Sequence, residues 1–350
     1  MGRATRLAVP RWPGRAQVIA DLLVFLATGA VVLAAGVALT RAADDLADRT
    51  GLGRFFMGSL LLAGATSLPE LGVNLAATRQ GAIDLATGNI FGSNMFNMVI
   101  LAVLGFLPPR DEVFRRASLD HTLAAALAVI LQAIAALLIA TRASTSVGGV
   151  SPYAVLLAAL FVVGSWVIYR QSSHGVQVPA AGAAPRAGAP RAWRAPALRF
   201  AAAAAVVLLV APTFSDRAES IAVHSGLGAT FFGTVFVGAA TSLPEIVSCV
   251  AAWRLGAHDL AVGNLFGSNL FNVGIFLVMD LADGPGSVFA SIPATHVVTA
   301  LFGMLLTALG SASVGFRATR RLALVEPGSI LILVAYVAGI LALAQLRGTP

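Results

Sequence analysis

The chain has 350 residues, 58% of them hydrophobic and only 11% charged, with a mean hydropathy of +0.86. A soluble globular domain carries about a quarter charged residues, so this composition excludes a water-clothed globule and points to a membrane protein. The net charge of +7 comes from arginine, since the chain has no lysine. The arginines fall in short loops between apolar runs, which is how a topology signal is distributed and not a nucleic-acid-binding face. No nucleic-acid partner is expected. The single cysteine, Cys249, allows no internal disulfide and no thiolate metal cluster, and reads as a packed core residue.

Arg3, Arg6, Arg11 and Arg15 precede the first apolar run, 17–40. That run is too long for the core of a signal peptide and reads as a transmembrane helix. Further runs long enough to cross about 30 Å of hydrocarbon follow at 54–79, 83–106, 119–141 and 150–169, then at 197–213, 229–254, 258–282, 288–311 and 328–346. The expected fold is an all-α polytopic membrane protein of ten transmembrane helices in two groups of five. Residues 1–169 and 197–350 are the expected halves. Between them, 170–196 is rich in Pro, Ala, Gly and Arg (VPAAGAAPRAGAPRAWRAP) and reads as a flexible linker. The loops on the linker side hold 15 arginines against 8 on the other. The linker is therefore expected in the cytoplasm, although the N-terminal arginines pull the other way.

Residues 57–97 and 232–272 align without a gap at an offset of 175, with 23 of 41 positions identical. This is a duplicated unit. Five helices per unit is an odd number, so the second copy would enter the bilayer from the opposite side. Such an inverted repeat places a transporter's binding site near the midplane, where the copies meet.

The first motif is Ala63-Gly64-Ala65-Thr66-Ser67-Leu68-Pro69-Glu70, copied as Gly238-Ala239-Ala240-Thr241-Ser242-Leu243-Pro244-Glu245. Each glutamate lies midway along an apolar run, where an ionised side chain costs several kcal/mol unless it is paired, hydrated or bound to a cation. Residues 63, 66, 67 and 70 share one helical face that carries two hydroxyls and a carboxylate. Pro69 and Pro244 lack an N–H and so release the carbonyls of Ala65 and Ala240. Free carbonyls at membrane depth need a partner, and a hard cation such as calcium takes six to eight oxygens. The second motif, Gly88-Asn89-Ile90-Phe91-Gly92-Ser93-Asn94-Met95-Phe96-Asn97, returns as Gly263-Asn264-Leu265-Phe266-Gly267-Ser268-Asn269-Leu270-Phe271-Asn272. Ser93 with Asn97, and Ser268 with Asn272, stand one turn apart and add neutral oxygens. The bland alternative for each hydroxyl or amide is that it bonds helix to helix. The duplicated glutamates do not fit that alternative.

These paired motifs resemble the two alpha-repeats of the sodium/calcium exchanger family, the calcium:cation antiporters, and the likeness covers both repeats. The resemblance implies alternating access, with sodium moving one way and calcium the other. It implies that Glu70 and Glu245 are the central carboxylates, with backbone carbonyls of Thr66 and Thr241 on calcium. Ser67, Ser242, Ser93 and Ser268, with the carbonyls of Ala63 and Gly238, would line flanking sodium sites, and Asn97 and Asn272 would complete the centre. Some relatives carry Asp where this chain has Asn97 or Asn272. Two asparagines leave two formal negative charges, which suits one calcium ion and weakens a potassium-coupled reading.

The expected function is thus calcium antiport against sodium in a bacterial inner membrane, by a monomer in the lipid bilayer with no cofactor. Proton or potassium coupling is the alternative. A channel fits less well, since it needs a continuous pore where an inverted repeat has one central site, and so does an intramembrane enzyme, since no nucleophile–base pair or HExxH motif is present. Asp84 and Asp259 also repeat, but they sit at helix starts and read as dipole or interface residues. Asp44, Asp45, Asp48, Asp216 and Glu219 read as a solvated face, Asp280 and Asp283 as a helix end. His121, His174, His224, His258 and His296 show no ligand spacing.

Overall fold

The structure, a computed structural model, describes residues 15–107, 112–174, 193–224, 238–316 and 327–346. Most of the expected linker, Arg3, Arg6 and Arg11, and the opening of the expected run 229–254 lie outside them. The described residues are helical apart from turns and one isolated β-bridge, Val147 to Val150.

In chain order, α1 is Arg15–Thr50 and α2 is Gly53–Phe56. A π-helical stretch, Met57–Leu62, leads into α3, Ala63–Thr66, and then α4, Leu68–Arg79. Next come α5 (Ile83–Phe106), α6 (Glu112–Arg116), α7 (Asp120–Ala140) and α8 (Pro152–His174). The second half holds α9 (Arg194–His224), α10 (Gly238–Thr241), α11 (Leu243–Arg254) and α12 (His258–Asp283). It ends with α13 (Val288–Ser291), α14 (Thr295–Phe316) and α15 (Pro327–Leu346).

Eight helical segments among the described residues are long and apolar enough to cross a membrane. Two of the ten expected runs fall outside that set. The apolar part of α8, Pro152–Ile168, is shorter, and the second motif helix is described only from Gly238. Several boundaries also move, and α1 runs on to Thr50 beyond the expected end at 40. The run expected at 288–311 is divided, because Ile292 is extended (ψ 129°) ahead of Pro293 and the long helix begins at Thr295, as the residue before proline avoids helical geometry. The helix α9 passes through Pro212 and continues to His224, beyond the expected end at 213.

The helices α5 and α12, which carry the second motif in each half, form the interior, while α1 and α15 present mostly exposed apolar side chains. Helix α12 packs on the π-helical stretch, α4, α5, α7, α8 and α11, and α1 lies along α9. Glycine permits the closest approach. A Cβ on Gly58 would fall 2.7 Å from the Leu260 carbonyl, and one on Gly263 would lie 3.0 Å from the Ser59 nitrogen. Backbones this close are how helices pack in lipid, where dispersion contacts replace the hydrophobic drive.

The halves are also joined by reciprocal polar pairs. His121 Nε2 lies 3.0 Å from Asp259 Oδ1, and His296 Nε2 lies 2.6 Å from Asp84 Oδ1. His121 and His296 are themselves 175 apart, as are Asp84 and Asp259. Each pair therefore fastens the start of α5 or α12 to the start of α14 or α7 in the other half. The helix-start reading of the aspartates is sharpened accordingly, because each has a specific histidine partner. Asp280, read as a helix end, is buried and accepts the N–H groups of Ser151 at 2.7 Å and Val288 at 2.9 Å, capping two segments.

Candidate cation site

Both motif helices break at the same residue. Ser67 has φ −87°, ψ 5° and Ser242 has φ −80°, ψ 9°, and in each case proline stands in the first turn that follows. The π-helical stretch just before Ala63 is a second irregularity, of a kind frequent at functional sites. The break delivers Glu70 and Glu245 at the N-terminal ends of α4 and α11, where the helix dipole favours an anion.

Both glutamates are buried, with 1% of their surface exposed. Ser67 donates its hydroxyl to Glu245 Oε1 at 3.3 Å, and Ser268 donates to the same oxygen at 3.3 Å. Ser242 donates to Glu70 Oε1 at 3.5 Å. The hydrogen-bond partners of Glu70 and Glu245 among the described residues are serine hydroxyls, so neither carboxylate is bonded to an arginine.

The second motif supplies the rest. Asn97 Nδ2 donates to Asn269 Oδ1 at 3.0 Å, and Asn272 Nδ2 donates to Asn94 Oδ1 at 2.9 Å. Thr66 Oγ1 donates to Asn264 Oδ1 at 3.1 Å, and Thr241 Oγ1 to Asn89 Oδ1 at 3.3 Å. Contacts of residue i with j′ and of i′ with j are the signature of two-fold symmetry. The symmetry is imperfect. Ser268 reaches Glu245, whereas Ser93 donates to Asn89 Oδ1 at 3.4 Å. The Asn89 amide bonds Asn74 at 3.2 Å, while the equivalent Asn264 bonds Cys249 at 3.6 Å. Cys249, as read, is buried.

The structure thus brings together Glu70, Glu245, Thr66, Thr241, Ser67, Ser242, Ser93, Ser268, Asn97 and Asn272, all buried. Ala63 is buried too, but its carbonyl accepts the Ser67 N–H at 2.9 Å and lies 3.3 Å from the Thr66 hydroxyl, so this oxygen is engaged within its own turn. Gly238 opens α10, in the place equivalent to Ala63. Sequence reasoning passed over Asn89, Asn264, Asn94 and Asn269. Their identity in both motif copies was the signal available.

At the site, four buried oxygens have no hydrogen-bond partner among the described residues: Glu70 Oε2, Glu245 Oε2, Asn97 Oδ1 and Asn272 Oδ1. A buried acceptor without a donor costs about 1–3 kcal/mol, and more when it is charged. Two carboxylate and two amide oxygens, with the serine hydroxyls bonded to the carboxylates, are hard donors of formal charge −2. That set fits calcium, or sodium ions in its place.

The sodium/calcium exchanger protein family matches residues 21–170 and 196–344. The inner membrane protein YrbG of Escherichia coli K12 is 28% identical over 256 residues, 71% of this chain and 76% of that one. The sodium/calcium exchanger MaX1 of Methanosarcina acetivorans is 38% identical over 78 residues, 22% of each chain. Among solved structures, the sodium-calcium exchanger NCX_Mj shares the fold with a TM-score of 0.69, covering 93% of this chain and 99% of that one at 19% identity.

Proposed function

The chain belongs to the sodium/calcium exchanger family, and we propose that it is a secondary antiporter exchanging Ca2+ for Na+ by alternating access around one midplane site. The observation that carries this reading is the set of four partnerless oxygens on Glu70, Glu245, Asn97 and Asn272. Two carboxylates without a protein cation attract positive charge. One Ca2+ balances them, and Na+ ions balance them in its absence, so one set of oxygens serves two cargoes in turn. That mutual exclusion is the physical basis of coupled exchange.

In this reading the backbone carbonyls of Thr66 and Thr241 join the carboxylates on calcium. The hydroxyls of Ser67, Ser242, Ser93 and Ser268, with the carbonyls of Ala63 and Gly238, serve sodium on either side. At Ala63, sodium would share an oxygen that also accepts the Ser67 N–H. The chain acts as a monomer with ten spans in two inverted groups of five, in the bacterial inner membrane, with residues 170–196 in the cytoplasm. Reciprocal bonds between residues 175 apart, as in Asn97–Asn269 and Asn272–Asn94, support the paired-repeat reading.

Proton coupling is the competing reading, since two buried carboxylates can also carry protons. The hydroxyls around them favour sodium, because a proton needs no oxygen cage. Calcium uptake into everted vesicles decides between the two. Uptake driven by an imposed sodium gradient is expected. Uptake that ignores sodium and follows a pH gradient would overturn sodium coupling.

A further inference from the structure

The two partnerless amide oxygens raise a question of orientation. An asparagine amide can present oxygen or nitrogen to a given neighbour, and the hydrogen-bond network decides which. A cation site needs oxygen. Something must therefore hold the Asn97 and Asn272 amides with their NH2 groups turned away.

We propose that Asn94 and Asn269 are positioning residues that fix this choice, so that Asn97 and Asn272 each present oxygen to the cation. The reasoning starts from the backbone. Asn94 Nδ2 donates to the Asn269 carbonyl at 3.4 Å, and Asn269 Nδ2 donates to the Asn94 carbonyl at 3.3 Å. A backbone carbonyl accepts and never donates, so the nitrogen of each of these amides must face it. Asn269 is held twice, because its Nδ2 also donates to Thr307 Oγ1 at 3.2 Å, and Thr307 spends its own proton on the Gly303 carbonyl at 2.7 Å. With their nitrogens committed, Asn94 and Asn269 have only oxygen to show elsewhere. Asn272 Nδ2 meets Asn94 Oδ1 at 2.9 Å, and Asn97 Nδ2 meets Asn269 Oδ1 at 3.0 Å. Those NH2 groups are committed in turn, and their oxygens are the atoms left without a donor. Orientation thus passes from two backbone carbonyls through one amide to the next, across the interface between the halves.

The same wiring sets the charge of the site. An ionised Asp at 97 or 272 would place a carboxylate oxygen against Asn269 Oδ1 or Asn94 Oδ1, where an N–H now sits. This chain is therefore built for neutral residues at both positions, and its two formal charges come from Glu70 and Glu245.

The inference rests on the calcium-exchange reading, and the test separates the two. Initial rates of 45Ca2+ uptake by the purified full chain in sodium-loaded proteoliposomes are measured against Ca2+ concentration. Asn269→Ala is expected to raise the apparent KM for Ca2+ about 10-fold, the loss expected when a residue that orients a ligand oxygen is removed, with a smaller change in maximal rate. In an Asn97→Ala background the same substitution adds nothing further, whereas in an Asn272→Ala background it keeps its full effect. A general packing role would act equally in both backgrounds. Asn94→Ala gives the mirror pattern, coupled to Asn272 and not to Asn97, and serves if Asn269→Ala does not fold. Equal effects in the two backgrounds, or an unchanged KM in a folded single variant, would overturn the inference alone. Absence of calcium uptake by the unaltered chain would overturn the functional reading and this inference with it.

Discussion

Ser67 and Glu245 are separated by 178 residues, yet the Ser67 hydroxyl donates to Glu245 Oε1 at 3.3 Å. Each carboxylate is thereby served by a hydroxyl from the opposite motif copy, since Ser242 reaches back to Glu70. Neither half contains a complete site. Residues 1–180 and 181–350 expressed separately are expected to show no calcium transport, and coexpression of the two is expected to restore it. Transport by either half alone would show that the shared site is not the working one.

Replacing Glu70 or Glu245 by Gln removes one charge and leaves the volume nearly unchanged. A site of charge −1 no longer matches Ca2+, and a buried charged bond is worth about 1.5–3 kcal/mol, so exchange should fall about 10- to 100-fold. Thermal unfolding in detergent should stay at or above that of the unaltered chain, because a buried and unneutralised charge has been removed. An active Gln variant at either position would show that the carboxylates do not hold the cargo.

Packing between α12 and the π-helical stretch gives an independent prediction. A Cβ at Gly58 would press on the Leu260 carbonyl at 2.7 Å, and backbone cannot yield as a flexible side chain can. Overpacking of this kind costs about 1–3 kcal/mol. Gly58→Ala should lower the melting temperature of the purified protein, whereas Gly72→Ala, where a Cβ meets nothing within 4 Å, should not. Equal melting temperatures for the two variants would contradict the observed approach.

The two Asp–His pairs should differ in weight. Asp84 has 66% of its side chain exposed, while Asp259 has 32% and also accepts the Ser118 N–H at 2.5 Å. Solvent-exposed pairs contribute about 0–1 kcal/mol, so Asp84→Asn should barely move the melting temperature and Asp259→Asn should lower it clearly. Thermal melts of both variants, side by side, check the order, and the reverse order would contradict it.

Much of this site was legible before any coordinates. Glu70, Ser67, Thr66 and Asn97 stood out because carboxylates and hydroxyls at membrane depth need a reason, and duplication supplied one. Asn94 and Asn269 were equally visible in the motifs, but a neutral amide at depth has an ordinary role in helix packing. Only the bonds between halves reveal what these two do. The His121–Asp259 and His296–Asp84 pairs were hidden for the same reason, since spacing rules read neighbours within a helix and these partners lie 138 and 212 residues apart. The common offset of 175 between the histidines was the clue available in the sequence. Helix limits were less legible still. Hydropathy runs on through Pro293, where backbone geometry divides the segment, and it fades before His224, where α9 continues.

Cys249 offers a probe of the same architecture. Its thiol is buried, donates to the Ala261 carbonyl at 3.5 Å and accepts from Asn264. Labelling by a maleimide should be slow in the folded chain and fast after unfolding, and Cys249→Ser should keep exchange within about 3-fold because a hydroxyl can make both bonds. Rapid labelling of the native protein would place Cys249 outside the packed interior.

The central claim is that Glu70 and Glu245 together bind the cargo that sodium displaces. Its most direct test is 45Ca2+ uptake by proteoliposomes holding the purified chain, with sodium loaded inside and an equimolar potassium-loaded control. The account predicts saturable uptake that requires internal sodium, is absent in the potassium control, and is lost in Glu70→Gln. Uptake of equal rate with sodium or potassium inside, or uptake that survives Glu70→Gln, would contradict it.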